Sequence, residues 1–442
     1  MAERSDFRLL LWRSRLQRLV NVEPVEIQAL AWSFLYFFSL LCAYYILRPM
    51  RDEMGIAGGV ENLQWLFTGT FAAMLAAVPL FGWLSARFPR RCFLPAVYYF
   101  FIVNLLAFFV LFRLEFTHAY LARAFFIWVS VFNVFVVSVF WSFMTDLFSD
   151  EQARRLFGFI AAGGTAGALT GPVLTAGLAV PLGPANLLPI SAAFLGLAVV
   201  AIHRLIAWHE GPSVAGVPTA HPQSTARQDQ PLGGGIFAGI ILVLRSPYLL
   251  GIGILMLLFT TLSTFLYFQQ AQIIRDSFSD SGVRTAVFAA IDGAVNALTL
   301  LTQTFLTARL VRWLGLAWTL VLIPLFLAAG FVALGMAPVL AVLVGVQIFR
   351  RAGNYAIMRP AREMLYVVLG REEKYKAKNF NDTVVYRGGD AVSAWFYIGL
   401  RDLGLSLSQI AWLAVPLALV WAGVSYVLGR RQTALAVERE QP

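Results

Sequence analysis

The sequence predicts an all-helical membrane protein with twelve transmembrane helices, on the evidence of its composition, its hydropathy and the length of its apolar runs. Of the 442 residues, 59% are apolar and 13% are charged, whereas soluble chains are about half apolar and about a quarter charged. The mean hydropathy is +0.72. One helix needs about 20 apolar residues to cross the hydrocarbon core, so twelve helices would use roughly 240 residues.

Twelve apolar runs, each bounded by charges, proline or glycine, are the predicted membrane-spanning helices. Their approximate bounds are 26–47, 63–85, 92–112, 120–146, 156–180, 186–207, 248–273, 284–307, 316–336, 338–358, 379–400 and 406–428. Residues 1–25 precede them as a basic segment in which arginines alternate with apolar side chains. We expect this segment to form an amphipathic helix at the membrane surface.

A polar stretch divides the twelve runs into two groups of six. Residues 209–247 are rich in Pro, Ser, Gly, Gln and His and end in a short apolar stretch, which predicts a cytoplasmic linker with a short amphipathic element. The N-terminal six-helix half then spans 26–208, the C-terminal half spans 248–429, and 430–442 form a cytoplasmic tail. Two six-helix halves joined by a long cytoplasmic loop resemble the layout of the major facilitator superfamily.

The basic residues indicate the orientation of the chain. With the N-terminus inside, the cytoplasmic segments hold 23 of the 34 lysines and arginines, and the opposite side holds 7. Cytoplasmic loops carry an excess of Lys and Arg, so both termini are predicted to lie in the cytoplasm and the protein in the inner membrane. The net charge of +10 is thereby assigned to topology, and nucleic acid is not an expected partner.

Several functional classes are excluded because their motifs are missing. Two cysteines and four widely spaced histidines provide no disulfide framework and no zinc-ligand spacing. All three lysines lie within 374–378, so the chain has no GxxxxGK[ST] phosphate loop. We therefore expect no enzymatic activity, no cofactor and no metal. The protein is also expected to be a monomer.

Polar and charged side chains inside the apolar runs are the predicted substrate-binding or coupling residues, because a charge at the bilayer centre costs about 2.5–3.5 kcal/mol. The eighth, tenth and eleventh runs contribute Asp292, Asn296, Gln347, Arg350, Arg351, Asn354, Tyr386, Arg387 and Asp390. The alternative is a purely structural role, with Arg387 paired to Asp390, or Arg351 paired to Asp390 or Asp292. Three arginines against two aspartates would leave one arginine for an anionic substrate.

The fifth run carries a stripe of small residues. Gly163, Gly167 and Gly171 recur at every fourth position, a spacing that lets two helix backbones approach closely in a membrane. The surrounding GFIAAGGTAGALTGPVLTAG is similar to the antiporter motif of the superfamily without its last two glycines. A structural role alone is the alternative to a role in exchange.

Two short segments repeat one pattern, in which Tyr is followed by Arg-Pro-x-Arg and Glu-Met. YYILRPMRDEM ends the first run, and NYAIMRPAREM ends the tenth. In the predicted topology they lie at opposite mouths of the protein. Arg48, Arg51, Arg359 and Arg362 are therefore the candidate gating residues, each pair held by a proline kink. Chance similarity of a short motif is the alternative.

Three stretches carry a more specific resemblance. They are YYILRPMRDEMG, FWSFMTDLFSDEQARRLFGFIAAGGTAGALTG and KYKAKNFNDTVVYRGGDA. Together they resemble the ATP:ADP antiporter family of nucleotide transporters from obligate intracellular bacteria and plastids, with its relatives in free-living bacteria. The resemblance implies an exchange mechanism and makes Arg51 and Asp146 candidates for substrate or gating contacts. Arg48 and Asp52 match the first of these stretches and are also counted among the predicted substrate-binding or coupling residues. Asp390 stands where that family usually has lysine.

The predicted function is secondary active transport, in which an anionic organic metabolite is exchanged by alternating access. A nucleotide-like solute is the first candidate. Proton-coupled efflux of a metabolite or drug is the alternative, with Asp292, Asp390 or Asp146 as the coupling acid. A second alternative is a non-transporting membrane receptor or assembly partner. The expected partners are a small anionic substrate, protons in the first alternative, and the lipid bilayer.

Overall fold

The computed structural model describes residues 22–87, 90–114, 118–210 and 238–440, and every regular element in these ranges is helical. The amphipathic helix expected within 1–25 lies almost wholly outside the described residues, as does most of the linker expected at 209–247. The short element expected at the end of that linker is the helix Ala238–Arg245.

Fifteen α-helices lie in the described ranges. Six precede the linker, namely α1 (Ile27–Ala57), α2 (Leu63–Arg87), α3 (Arg90–Arg113), α4 (His118–Leu147), α5 (Asp150–Leu182) and α6 (Leu187–His209). Nine follow it, namely α7 (Ala238–Arg245), α8 (Pro247–Ser277), α9 (Ser281–Phe305), α10 (Thr307–Met336), α11 (Leu340–Gly353), α12 (Arg359–Leu365), α13 (Arg371–Phe380), α14 (Tyr386–Asp402) and α15 (Leu407–Glu440). Two π-helical turns, Asn354–Met358 and Asn381–Val385, connect α11 to α12 and α13 to α14.

All twelve predicted segments are helical, which confirms the fold class. Ten of the described helices are long and apolar enough to cross a membrane as single helices. The exceptions are the runs predicted at 338–358 and 379–400, because a π-helical turn divides each of them. A π turn forms i→i+5 hydrogen bonds, and such turns are frequently found at functional sites.

Several helices extend beyond their predicted bounds. Helix α1 continues through Pro49 to Ala57, well past the predicted end of the first run. The predicted tail 430–442 is not separate, since α15 continues to Glu440. In α10, Gly315 adopts a φ of 72° and kinks the helix just before the start predicted for the ninth run. Glycine tolerates this left-handed conformation because it has no Cβ.

The described residues form two compact units. The first consists of 22–51, 74–114 and 128–210, and the second of 52–73, 118–127 and 238–440. The second unit therefore contains the end of α1, the first part of α2 and the start of α4, in addition to the C-terminal six-helix half that the sequence predicts.

In the first unit, α5 packs closely on α1 along its glycine stripe. A Cβ added at Gly163 would lie 2.5 Å from the carbonyl oxygen of Phe34, and one added at Gly167 would overlap the carbonyl oxygen of Phe38. The predicted close packing is confirmed, because backbones can approach this closely only where the interface residue is very small.

The starts of α1 and α5 are joined by a buried carboxylate. Glu26 is 1% exposed, and it accepts hydrogen bonds from Gln152 Nε2 (2.8 Å) and Arg155 Nη2 (3.0 Å). Ser149 caps α5 in a capping box with Gln152, which satisfies backbone groups at the helix start. Helices α1 and α5 are thus held together at their ends as well as along the glycine stripe.

The core of the second unit is built from large side chains of α8, α10, α14 and α15. Phe265, Phe268, Phe331 and Trp421 are fully buried. The rings of Phe268 and Tyr397 lie 4.8 Å apart. Aromatic pairs of this kind contribute about 0.5–1.5 kcal/mol beyond their buried area.

The first part of α2 packs on α8 and α14 within the second unit. The indole rings of Trp65 and Trp395 meet edge to face at 4.8 Å. Trp395 Nε1 donates a hydrogen bond of 3.1 Å to Thr68 Oγ1, and the ring of Phe67 lies 5.4 Å from that of Tyr267. These contacts make residues 63–73 an integral part of the second unit.

Candidate substrate site

The charged side chains predicted within the C-terminal runs lie in the second unit on α9, α11 and α14, and hydroxyl groups of α8 contact two of them. Arg351 Nη2 lies 2.5 Å from Asp292 Oδ1, and both side chains are buried, with 8% and 1% exposure. This is one of the pairs that the structural alternative predicts. It ties α11 to α9.

Arg350 is held by neutral oxygen atoms. Its Nη1 donates to Ser263 Oγ (2.8 Å), while Nε and Nη2 both donate to Gln347 Oε1 (3.2 and 2.9 Å). The amide of Gln347 in turn donates to Gln270 Oε1. Ser263 and Gln270 both lie on α8, so the guanidinium is oriented from two points on that helix.

A second ion pair lies on α14. Arg387 Nη1 is 3.7 Å from Asp390 Oδ2, as expected for residues three apart on a helix. Thr264 Oγ1 of α8 donates to Asp390 Oδ1 at 3.5 Å. The Arg387 guanidinium also lies 5.3 Å from the ring centroid of Tyr386, which places the aromatic residue beside the charges.

The two predicted asparagines are half-buried. Asn296 follows Asp292 by four residues on α9, so both lie on one face of that helix. Asn354 is the first residue of the π-helical turn after α11. Together with the arginines and aspartates they give this part of the second unit a polar character, with three cations against two anions among the central charges.

Three of the predicted residues belong to the first unit. Arg48 and Arg51 are half-buried near the end of α1, and Asp146 is half-buried near the end of α4. The Arg48 guanidinium lies 5.8 Å from the ring centroid of Tyr45, a distance typical of a cation–π contact.

The end of α1 carries two buried acids that belong to the second unit. Asp52, a predicted residue, accepts a hydrogen bond of 3.1 Å from Tyr267. Glu53 was not predicted, although it is fully buried and accepts two hydrogen bonds of 2.7 Å from Arg284. The signal available in the sequence was the acid pair in RPMRDEM, since two acids at the end of an apolar run need partners.

The second Arg-Pro-x-Arg segment lies in α12. Arg359 is exposed, whereas Arg362 is 8% exposed. Arg362 Nη1 donates to the sulfur of Met256 at 2.7 Å, and Nη2 lies 3.6 Å from Asp382 Oδ1. The predicted site residues did not include Ser263 and Gln270, which contact Arg350 and Gln347, or Asp382, which lies beside Arg362.

The described part of the chain holds no group of three or more His, Cys, Asp or Glu side chains that could bind a metal ion. The site as described can orient and partly neutralise a charged solute through arginine, amide and hydroxyl groups. Its chemistry is that of binding, in a helical protein built to cross a membrane.

Comparison with known proteins assigns the chain to a family. The family model of the Major Facilitator Superfamily matches residues 29–362, which is about three quarters of the chain. The chain therefore belongs to the Major Facilitator Superfamily. The match is to the superfamily and does not distinguish the ATP:ADP antiporter family within it. No curated protein sequence matches the chain.

Solved structures of transporters share the fold. A bacterial homologue of the human lysosomal transporter Spinster, inward-facing and unoccupied, has a TM-score of 0.58 at 14% identity, over 94% of this chain and 99% of that chain. A variant of the nucleoside transporter NupG has a TM-score of 0.62 at 14% identity, over 93% and 99%. An inward-facing bacterial homologue of the iron transporter ferroportin has a TM-score of 0.63 at 15% identity, over 92% and 98%. At these identities the likeness concerns the fold.

Proposed function

We propose that the protein is a secondary transporter of the inner membrane that exchanges an anionic organic metabolite by alternating access. The observation that supports this proposal is the buried position of Arg350, oriented by Ser263 and Gln347. It lies among charges that sum to about +1.

The orientation of Arg350 favours an anion. Its hydrogen bonds to Ser263 and Gln347 fix the direction in which the guanidinium points. A carboxylate or phosphate that reaches it gains charge-assisted hydrogen bonds, which are roughly twice as strong as neutral ones. Burial strengthens the attraction further, since the local dielectric constant is lower than that of water.

A nucleotide-like solute is the first candidate within this class. The three sequence stretches that resemble the ATP:ADP antiporter family support it, and so does the position of Tyr386 next to Arg387, because an aromatic ring can stack on a base. A nucleoside transporter is also among the proteins of similar fold.

The two Arg-Pro-x-Arg segments are proposed as gates at the two mouths. Arg48 and Arg51 would act on the periplasmic side, and Arg359 and Arg362 on the cytoplasmic side, with both termini in the cytoplasm. The distribution of lysine and arginine supports this orientation. Neutralising one pair should change accessibility from one side only, and equal effects of both variants would contradict the assignment.

Counterflow in proteoliposomes tests the exchange. Labelled nucleotide should enter vesicles preloaded with unlabelled nucleotide, and the Arg350→Gln variant should lose this uptake while keeping its elution profile. Arg312→Gln is the matched control, because Arg312 is an exposed arginine on α10. Uptake that Arg350→Gln leaves intact would contradict the role of Arg350, and no uptake of any anion would contradict exchange.

Proton-coupled efflux is the second candidate, favoured by one observation. Asp292 is 1% exposed and paired to Arg351, so its protonation would change the charge balance of the site. Uptake that follows a pH gradient, and that Asp292→Asn makes independent of it, would support proton coupling over exchange.

A further inference from the structure

Arg362 is a buried cation whose hydrogen bonding is incomplete. The residue is 8% exposed, and its Nε has no hydrogen-bond partner. Its Nη1 donates to a thioether sulfur, that of Met256, which is a weak acceptor. Its Nη2 lies 3.6 Å from Asp382 Oδ1, which is too long for a hydrogen bond.

Arg284 in the same unit shows what the same edge of a guanidinium does when it is fully engaged. Its Nε donates a hydrogen bond of 2.7 Å to Glu53 Oε2, and its Nη2 donates one of 2.7 Å to Glu53 Oε1. This two-point geometry is the one that guanidinium groups use for carboxylate and phosphate. In Arg362 the Nε/Nη2 edge is buried but only loosely engaged by Asp382.

We propose that the Nε/Nη2 edge of Arg362 is a binding subsite for an oxyanion, a phosphate or carboxylate group, which takes the place of Asp382 there. The subsite lies apart from the Arg350 contacts, on α12 and the π-helical turn that begins at Asn381. It rests on the proposed function only in so far as the transported solute carries such a group.

The charges around Asp382 favour an anion at this position. Arg359, Arg362 and Lys378 act electrostatically on Asp382, as does one further acid, Glu363. Lys378 Nζ lies 2.6 Å from Glu363 Oε2. Three cations face two carboxylates, so the group carries a net charge of +1 and an incoming anion meets net attraction.

The backbone provides a means for Asp382 to move. Asp382 is the second residue of the π-helical turn Asn381–Val385, and its side chain is 36% exposed. Asn381 next to it is fully buried, with Oδ1 lacking a hydrogen-bond partner. A buried acceptor without a partner destabilises the conformation in which it lies. A shift of this turn would carry Asp382 away from Arg362 and open the edge to a ligand.

The test is a thermal-stability titration of the purified full chain with inorganic phosphate at constant ionic strength. A ligand that binds the native state raises its apparent stability. Phosphate should stabilise the wild type, with about tenfold weaker apparent affinity in Arg362→Gln and in Arg362→Lys, because lysine lacks the two-point edge. Arg312→Gln, which changes an exposed arginine of α10, should retain the response to phosphate.

Asp382→Asn provides the decisive variant. If Asp382 occupies the edge in the free protein, its removal should increase the apparent affinity for phosphate about tenfold, even if the variant is less stable without ligand. A purely structural ion pair would instead lower stability and leave the phosphate response unchanged. That result, or an unchanged response in Arg362→Lys, would overturn the proposal, and neither depends on Arg362→Gln being folded.

Two further comparisons identify the source of the oxyanion and test the subsite separately from the proposed function. In nanodiscs, loss of the phosphate response on adding phosphatidylglycerol to phosphatidylcholine assigns the subsite to a lipid headgroup, and an unchanged response assigns it to a soluble anion. Both results support an oxyanion subsite.

A phosphate response that requires Arg350 but not Arg362 would overturn the subsite and leave the proposed function standing. A phosphate response that requires Arg362, in a protein that shows no nucleotide exchange, would support the subsite and contradict the proposed function.

Discussion

Glu53 and Arg284 form a buried ion pair with two hydrogen bonds of 2.7 Å, and they lie 231 positions apart in the chain. Arg284 also donates to the carbonyl oxygens of Phe278 and Ser279, so its guanidinium joins three segments. The pair fixes the end of α1 to the start of α9 within the second unit. Removing one partner from such a pair leaves the other charge buried and uncompensated.

The Glu53→Ala variant should therefore lower the free energy of unfolding by about 3–5 kcal/mol. The loss should be smaller in the double variant Glu53→Ala/Arg284→Leu, because no isolated charge remains. Equilibrium unfolding in mixed micelles measures both values. Additive losses in the double variant would mean that the two side chains do not depend on each other.

Glu61 serves as the matched control for that prediction. It pairs with Arg275 at 2.6 Å, but its side chain is 70% exposed. Exposed ion pairs are worth about 0–1 kcal/mol, so Glu61→Ala should cost less than about 1 kcal/mol. A loss comparable with that of Glu53→Ala would show that burial does not decide the strength of these pairs.

Gly167 on α5 is expected to tolerate no side chain. Gly167→Ala should destabilise the protein by about 1–3 kcal/mol, because the added methyl group overlaps the Phe38 carbonyl oxygen of α1. Gly158 and Gly177 lie on the same helix with no atom within 4 Å of an added Cβ. Gly158→Ala should be neutral or stabilising by up to about 1 kcal/mol. Similar effects of the two changes in a thermal unfolding assay would contradict the tight α1–α5 packing.

Gln270 is expected to be a positioning residue for Arg350, acting through Gln347. Gln270→Leu should raise the concentration of substrate needed for half-maximal exchange about fivefold, the equivalent of about 1 kcal/mol for one hydrogen bond. The neighbouring Gln269→Leu is the control, since Gln269 donates instead to the Leu407 carbonyl oxygen. It should lower stability without changing the half-saturating concentration. The same half-saturating concentration in both variants would remove Gln270 from the site.

Arg351 should be needed for transport. It should not be needed for folding when Asp292 is replaced by asparagine at the same time. Arg351→Gln and Asp292→Asn should each leave the other charge buried and uncompensated and lower the free energy of unfolding by about 3–5 kcal/mol. Arg351→Gln should also lose exchange. The double variant should regain stability but not exchange. Full exchange in Arg351→Gln would reduce the Arg351–Asp292 pair to a structural role.

Hydropathy was sufficient to place the helices but not to describe the tenth and eleventh segments in detail. The twelve apolar runs follow from the requirement for about 20 apolar residues per span, and the glycine stripe of α5 follows from its spacing. The π-helical turns at Asn354 and Asn381 could not be predicted, because they depend on packing against other helices and not on local composition.

The candidate site was predicted in part for a similar reason. Charges inside apolar runs, such as Arg350 and Asp292, stand out because they are costly in a membrane. Glu53 and Ser263 did not stand out, since one lies at the end of a run and the other is a small hydroxyl residue common in helices. Their importance arises from partners far away in the chain, Arg284 and Arg350, and only the folded structure supplies those partners.

The edge-to-face contact of Trp65 and Trp395 has a practical consequence. Two indole rings 4.8 Å apart share an electronic environment that ends when they separate. In a background where the other tryptophans are replaced by phenylalanine, the fluorescence of this pair would report whether residues 63–73 stay docked on α14. The protein thus carries its own optical probe for movement at this end of α2, with no dye attached.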